Sequence, residues 1–403
     1  MKFNNKSKNI IKLDDVIFVL VSLFPITTIL QGLPLFNNIN KFIMAIILGC
    51  LFLKIVKLRI RTSTFIVLVV IAFLYLFALY YTNEHLDNFN DLFYFGFWGL
   101  YFLYMKNNYC IFEKKICDNK KFLLKIVIIW NIIVFISLFF SSSYTHNWGE
   151  ANYFRSFSNG EHRFASSCLF IISICWILSQ LHKSKKYFVF AILPIISIYL
   201  SGTRTYLGVL IILLTCIYYL MCKNKINFFI TIIPILILLI FVITLTPMGE
   251  KFQNTNQDGY FGYLGTLTNG RSVFWSKDLE EFYKLPLHKK IVGNGFNFIY
   301  DINEKAIGAR IWAHNDYINI LANFGIMGGL IYLYVFINFS NNVLKTRNIH
   351  PLLRFGYYLV YFINAMFNMV YVYTCSTLAL PFILYSIVYQ SKRKNTVSIN
   401  KKN

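Results

Sequence analysis

Charged residues are scarce in this sequence. They make up 14% of its 403 residues, where a soluble protein carries about 25%. Apolar residues make up 57% of the chain, and apolar runs of about 20 residues, long enough to cross a bilayer core, recur from Val16 to Tyr389. The composition therefore excludes an ordinary soluble protein and predicts a polytopic membrane protein.

A secretory signal peptide is not expected from the first apolar run. The first apolar run, residues 16–36, is too long for the core of a signal peptide, and it lacks a small-residue cleavage site. We therefore expect this run to be retained as the first membrane span.

Acidic residues are rarer than basic ones, 17 against 39, which leaves a formal net charge of +22. A nucleic-acid partner would account for that charge, but the basic residues sit in short tufts between apolar runs. The segments that alternate with the tufts are poor in charge or acidic, as at 82–91. Positively charged loops of membrane proteins stay in the cytoplasm. We therefore predict no nucleic-acid partner and a cytoplasmic location for the tufts and both termini. The main tufts lie at 2–12, 54–61, 106–125, 183–186, 223–225, 345–354 and 392–402.

The eight cysteines indicate neither a disulfide framework nor a zinc site, because none lies in a long outer loop. Internal repeats and low-complexity tracts are lacking too. The apolar runs and tufts predict an all-α polytopic integral membrane protein, a single membrane domain over 1–403 with about twelve transmembrane helices. A large, partly helical extracytoplasmic loop, 247–311, joins spans nine and ten, and loops of that length are usually functional. The expected spans are 16–36, 40–56, 63–81, 91–105, 122–140, 164–182, 187–201, 204–222, 226–246, 312–338, 353–370 and 372–389.

One segment of 36 residues, 187–222, carries a single charge, Arg204. As one helix it would be about 54 Å long, far beyond the ~30 Å bilayer core, and the basic residues at its two ends belong on the same side. It must therefore cross twice, with a turn at 201–203 that Gly202 permits, and Arg204 begins the returning helix at the outer surface. Such an arginine either extends to lipid headgroups or marks a functional site.

The same topology places further polar residues on the outer side with Arg204. They are Arg155, Arg163, Arg271, Arg310 and His314. In the long loop, Ser272 is placed to cap a helix that ends before Pro286, and Gly293 and Gly295 are expected to form a bend. The helix suits either the membrane interface or plain packing. Its apolar face is formed by Trp275, Leu279, Phe282 and Tyr283, and its polar face by Lys277, Asp278, Glu280 and Glu281.

Two arginines and a histidine on one outer surface suit the transfer of a sugar from a phosphate to a hydroxyl group. Arginine binds phosphate with a planar fork and stabilises charge on the leaving phosphate. Histidine is largely neutral near pH 7 and can accept the hydroxyl proton. No cofactor is expected, because a sugar–phosphate bond is already activated. The outer carboxylates are scattered without ligand spacing, so we predict a site independent of metal. They include Glu150, Glu161, Asp258, Asp301 and Asp316.

Three motifs stand in order along the chain. The run 201–204 reads Ser-Gly-Thr-Arg, the run 269–271 reads Asn-Gly-Arg, and 314–328 has the pattern His-Asn, nine residues, Gly, two residues, Gly. The glycines of the last motif, Gly325 and Gly328, share one helical face and would let a neighbouring helix approach closely. Together the motifs resemble the bacterial O-antigen polymerase and O-antigen ligase family, integral-membrane glycosyltransferases that use polyprenyl-pyrophosphate donors.

The resemblance implies a role for each matched residue. His314 would be the base that activates an acceptor hydroxyl, and Arg204 and Arg271 would hold the donor pyrophosphate. Asp316, a position that the motif does not specify, would assist or orient His314. Further candidate substrate contacts are Arg155, Arg163, Asn315 and Asp316.

The preferred hypothesis is a polymerase of polyprenyl-pyrophosphate-linked oligosaccharide repeat units in the bacterial inner membrane. It would build O-antigen, capsule or exopolysaccharide, with a chain-length regulator and a flippase as candidate partners. One alternative is an O-antigen ligase, which uses the same chemistry with another acceptor. A second alternative is a flippase or other transporter, although the predicted spans hold few charges and no repeat.

Overall fold

The computed structural model describes residues 12–57, 62–81, 89–145, 152–222, 225–244, 271–308, 310–347 and 349–399. Within these ranges it contains fifteen α-helices and one antiparallel hairpin, in which β1 (Tyr144–Thr145) pairs with β2 (Tyr153–Phe154). The all-α prediction is confirmed. Several residues of the predicted tufts and of the acidic segment lie outside the described residues, at 2–11, 58–61, 82–88, 223–224 and 401–402.

The helices are numbered along the chain. The first nine are α1 (Leu13–Leu30), α2 (Ile39–Lys57), α3 (Thr62–Tyr81), α4 (Phe89–Asp118), α5 (Lys120–Ser137), α6 (Glu161–Leu181), α7 (Val189–Leu200), α8 (Arg204–Met221) and α9 (Lys225–Thr244). Three shorter helices follow: α10 (Arg271–Lys284), α11 (Leu287–Val292) and α12 (Phe298–Ile307). The last three are α13 (Asp316–Thr346), α14 (Pro351–Phe367) and α15 (Thr374–Ile399).

Each predicted span overlaps one of these helices. Helix α7 has only 12 residues, and at about 18 Å it is shorter than the ~30 Å bilayer core. The chain is a helical membrane protein, and the number of twelve spans stays a prediction. Six segments among the described residues are long and apolar enough to cross a membrane: Leu13–Leu30, Pro34–Ile55, Thr64–Tyr81, Glu161–Leu181, Arg204–Met221 and Asp316–Thr346.

The large loop predicted over 247–311 can be followed from Arg271 onward, because 247–270 lie outside the described residues, as do Glu150 and Asp258. The described part is helical and forms α10, α11 and α12. Helix α10 ends at Lys284, just before Pro286, as predicted. The location of the loop outside the cytoplasm stays a prediction.

Helix α6 is the centre of the bundle. Every side chain from Phe164 to Leu178 is buried, and the helix packs against α1, α5, α7 and α15. A helix that is apolar on all sides is surrounded by other parts of the protein or by lipid, and here it is the protein. Helix α3, in contrast, exposes Phe65 and Ile66.

Two ion pairs mark the end of the bundle at which the predicted tufts lie. At this end Lys54 binds Asp14 at 2.7 Å, and Arg347 binds Glu113 at 2.9 Å; both basic residues belong to predicted tufts. Helices α6, α8, α13 and α15 all begin at the opposite end. The residues predicted to form the site therefore lie away from these tufts.

Candidate functional site

The helical hairpin predicted around Arg204 is confirmed. Helix α7 ends at Leu200, the chain turns at Gly202 with a φ of 64°, and α8 begins at Arg204. A left-handed φ favours glycine, and the ring of Tyr153 leaves no room for a side chain, because an added Cβ would overlap it. The turn therefore fixes Arg204 beside the short β-hairpin.

A shared carbonyl group brings Arg271 next to Arg204. The Nη1 of Arg271 donates to the carbonyl oxygen of Phe367, the last residue of α14. The same oxygen accepts the hydroxyl of Thr205, the neighbour of Arg204, at 3.2 Å. The two guanidinium groups repel each other. Burial lowers the pKa of Arg271, and Tyr373 opposes that effect. Two like charges held together favour the binding of an anion.

His314 lies beside Arg271 of this arginine pair. Its φ of 50° is left-handed, a conformation that is uncommon outside glycine and that often marks functional positions. Asn315 follows it and caps α13. On the other side, the indole nitrogen of Trp275 donates to the carbonyl oxygen of Ala313. The residues before and after His314 are thus both fixed, Ala313 by helix α10 and Asn315 by the cap of α13.

The imidazole of His314 is neutral at neutral pH. Burial and, after it, the charge of Arg271 lower its pKa to about 3. Its Nδ1 is buried and makes no hydrogen bond with any of the described residues. A neutral imidazole beside the guanidinium group of Arg271 can accept a proton from a bound hydroxyl.

A second histidine, His162, lies next to His314 and so joins the cluster formed by Arg204, Arg271 and His314, although its sequence context did not indicate this. Its ring centroid lies 6.5 Å from that of His314, 6.5 Å from that of Tyr206 and 5.6 Å from that of Tyr373. It stands in the first turn of α6 and belongs to no recognised motif. In the sequence, a role for His162 was indicated only by its position next to Arg163, at the expected outer end of a span.

Of the two other predicted arginines, one joins the cluster. The Nη1 of Arg163 donates to the Oε1 of Gln31 at 3.1 Å, and its charge acts on Tyr373, as does that of Arg271. Arg155 follows β2, and within the described ranges no hydrogen bond or ion pair joins its side chain to Arg204, Arg271 or His314.

Asp316 makes contacts that hold the start of α13 in place. Its carboxylate accepts the amide of Val370 at 2.9 Å and the hydroxyl of Tyr332. Among the described residues the carboxylate forms no hydrogen bond or ion pair with His314. Asn315 is the cap of the same helix. Contact of either residue with a substrate stays a prediction.

Residues 189–333 match the family model described as O-antigen ligase. The chain carries an O-antigen ligase family domain. The resemblance indicated by the motifs is confirmed, and the domain includes Arg204, Arg271 and His314. His162 and Arg163 lie before it in the chain. None of the curated proteins compared with the chain matches it significantly.

Two glycines of the O-antigen ligase family domain bring the end of α11 against α13. Gly325 interrupts α13 with a φ of 67°, and Gly293 follows α11 with a φ of 94°. An added Cβ at either position would overlap backbone atoms of the facing segment, and the amide of Asn294 donates to Ala322 at 2.9 Å. The bend predicted at Gly293 and Gly295 is confirmed. The segment that approaches Gly325 is the end of α11, rather than a neighbouring membrane helix.

Replacing Gly325 by alanine is expected to destabilise the protein by about 1–3 kcal/mol. The new Cβ would overlap the carbonyl of Ile291, and alanine strains a left-handed φ. Thermal unfolding of the detergent-purified protein measures the effect. Gly329→Ala on the same helix is the matched control, because a Cβ there meets nothing within 4 Å. Equal unfolding temperatures for the two variants would contradict the close approach.

Helix α10 of the family domain corrects two details of the sequence prediction. The helix begins at Arg271, so Ser272 lies in its first turn and does not cap it. Asp278, predicted on the polar face, is buried with Phe282, while Tyr283 is 70% exposed. Arg271 and Asp278 lie on the same face of α10. Because Arg271 is hydrogen-bonded to Phe367 of α14, this face, and Asp278 with it, points into the protein. Burial raises the pKa of Asp278 to about 8.

Proposed function

We propose that the protein is a membrane glycosyltransferase that moves a glycan from a polyprenyl-pyrophosphate carrier to a hydroxyl group of an acceptor. The cluster of Arg204, Arg271 and His314 at one end of the bundle carries this proposal. These residues lie far apart in the sequence, yet the contacts around the Phe367 carbonyl and the start of α13 bring them together. The O-antigen ligase family domain supports the same class of reaction.

The arginine pair would bind the donor diphosphate. A guanidinium fork matches phosphate oxygens, and an anion between Arg204 and Arg271 removes the repulsion between them. During transfer the acceptor oxygen bonds to the anomeric carbon, and the bond from that carbon to the diphosphate oxygen breaks. Negative charge grows on the leaving diphosphate, and the two fixed cations stabilise it in the transition state.

His314 would accept the proton of the acceptor hydroxyl. Its low pKa keeps the imidazole neutral and available. Bound diphosphate adds negative charge nearby, which raises the pKa of the imidazole. The imidazole is therefore a stronger base when the donor is present. The hydroxyl proton moves to His314, and the reaction needs no further reactant.

The identity of the acceptor separates two enzymes that share this chemistry. We propose a polymerase, in which the acceptor is a sugar of the next lipid-linked repeat unit and the product is O-antigen, capsule or exopolysaccharide. The matched family model, described as O-antigen ligase, supports equally the alternative, a ligase that moves the finished glycan to another acceptor. For both, we propose a bacterial inner membrane, cytoplasmic termini and a site on the opposite side. A flippase would supply the substrate, and a chain-length regulator would act on the product.

Purified protein in lipid nanodiscs, incubated with a defined lipid-linked repeat unit, tests the proposal. A ladder of lipid-linked oligosaccharides supports the polymerase. Transfer to an added lipid A core acceptor, without a ladder, supports the ligase. Passage of the unit across a vesicle membrane without any new glycosidic bond would identify a transporter and contradict the proposal.

Transfer is expected to continue unchanged after treatment with EDTA, because the two arginines neutralise the leaving diphosphate in place of a metal ion. The measurement is the initial rate of glycosidic bond formation in chelator and after Mg²⁺ or Mn²⁺ is added back. A rate that falls in EDTA and recovers with either ion would contradict the metal-independent site.

A further inference from the structure

Two histidines from different helices, His162 and His314, lie next to each other in the candidate site. His162 stands in the first turn of α6, and His314 directly precedes the cap of α13. Their ring centroids are 6.5 Å apart, and the ring planes are inclined at 42°. The proposed transfer uses His314 as the base and assigns no role to His162.

The separation of the two rings suits a single hydroxyl group between them. Two hydrogen bonds of ordinary length that share one oxygen atom span about 5 Å between their outer atoms. The nearest edges of two imidazoles whose centroids are 6.5 Å apart allow that distance. An oxygen atom that is hydrogen-bonded to His314 is therefore within reach of His162. In the proposed transfer this atom is the oxygen of the acceptor hydroxyl.

The packing around His162 holds its ring in a fixed place. The ring centroid lies 5.6 Å from that of Tyr373 and 6.5 Å from that of Tyr206. The hydroxyl of Tyr206 is hydrogen-bonded to Ser376 at 2.8 Å, and α6 packs along α15. A side chain that stands on a rigid helix and is held by packing is already in position when a substrate binds.

The polar groups next to His162 suit a sugar better than a second phosphate. The neighbouring Arg163 donates to the Oε1 of Gln31 at 3.1 Å, and Asn40 donates to the same oxygen at 3.3 Å. These three side chains line a cavity of about 20 Å³, which is enough for a water molecule. The buried Oδ1 of Asn40 makes no hydrogen bond with any described residue. A sugar beside His162 would thus lie near amide groups, which both donate and accept hydrogen bonds.

We propose that His162 binds the acceptor hydroxyl together with His314 and orients it for attack on the anomeric carbon. The inference rests on the proposed function, because the transfer defines the acceptor. An N–H of His162 donates to the acceptor oxygen, while the O–H of the acceptor donates to His314. The hydroxyl proton moves to His314, and His162 keeps its own proton. The oxygen bonds to the anomeric carbon as the diphosphate leaves, so His162 contributes orientation.

Replacing His162 by phenylalanine tests this role, because an aromatic ring still packs against Tyr206 and Tyr373 but no longer donates a hydrogen bond. The acceptor in the assay is a repeat unit on a neutral alkyl chain, which lacks a diphosphate and cannot serve as donor. For a ligase, the lipid A core acceptor takes its place. His162→Phe is expected to lower kcat/KM for the acceptor about tenfold, the effect of one lost hydrogen bond. The KM for the lipid-linked donor, measured at saturating acceptor, should not change.

His182→Phe is the matched control. His182 follows the other end of α6, and its ring also packs on a tyrosine, with a centroid distance of 4.7 Å to Tyr187. This variant should leave the kinetics of both substrates unchanged. Normal kinetics in His162→Phe, or equal losses for donor and acceptor, would overturn the inference; equal losses would indicate that His162 only supports the structure. Absence of transfer in the unmodified protein would instead refute the proposed function.

Chemical modification of the unmodified protein provides an independent measurement if the variant fails to fold. Diethyl pyrocarbonate reacts with accessible imidazoles, and mass spectrometry identifies each modified residue. A saturating acceptor should slow the modification of the half-buried His162 several-fold, whereas farnesyl diphosphate alone should not. The exposed His288 should react at the same rate throughout. An unchanged rate at His162 with acceptor, or equal protection by farnesyl diphosphate, would overturn the inference.

Discussion

Replacing His314 by alanine is expected to lower kcat for glycan transfer by about a thousandfold, because a general base contributes 10²–10⁴-fold. The KM for the donor should change little, since the arginines hold the diphosphate. Initial rates with purified protein and a saturating lipid-linked donor measure the effect. His288→Ala is the matched control, because His288 lies exposed on α11 and should be dispensable.

The pH dependence provides a second test of the same residue. In the free enzyme the pKa of His314 is about 3, so kcat/KM for the donor should not fall from this group until the pH approaches that value. In the donor complex the diphosphate raises the pKa, and protonation removes the base. The acid limb of kcat should therefore lie at higher pH than that of kcat/KM. Coincident acid limbs, or a His314→Ala variant with normal kcat, would contradict a base at this position.

Replacing Arg204 or Arg271 by lysine is expected to lower kcat/KM by about a hundredfold. Lysine keeps the charge but loses the planar fork, and removal of one stabilising group in a transition state costs 10²–10³. Alanine should cost at least as much. The measurement is kcat/KM for the lipid-linked donor, together with the affinity for farnesyl diphosphate as a probe of the diphosphate site.

Arg310→Lys is the control for these variants. Arg310 binds the exposed carboxylates of Asp301 and Glu304, each at 2.9 Å, and exposed ion pairs contribute only ~0–1 kcal/mol. The control should therefore transfer glycan at close to the normal rate. Wild-type kcat/KM in both Arg204→Lys and Arg271→Lys would show that the pair does not hold the diphosphate.

The parts of the site that could be predicted from the sequence are those that local rules determine. The length of segment 187–222 and the like charge of its ends allow only a double crossing, and Gly202 marks the turn. His314 was recognisable because its motif includes a glycine, Gly325, that the backbone requires. In a chain this apolar, the few polar residues at span ends are informative in themselves.

The parts that escaped prediction depend on tertiary contacts. His162 enters the cluster because α6 packs against α15 and the segment before it, which no spacing in the sequence reveals. Asp278 is buried because Arg271, on the same face of α10, is bound to α14. Its neighbours in the sequence are charged, so the pattern alone predicts a solvated side. In both cases a distant helix selects the face that is buried.

The central position of α6 has a consequence for the O-antigen ligase family domain. The segment 189–333 contains the paired arginines and His314, but it includes neither α6 nor the Phe367 carbonyl that anchors Arg271. An excised fragment would expose apolar faces and leave Arg271 without its anchor. The segment that matches the family model is thus shorter than the shortest segment that we expect to be active. A chimaera that exchanges only this segment between relatives should regain activity only when α6 and α14 come from the same parent.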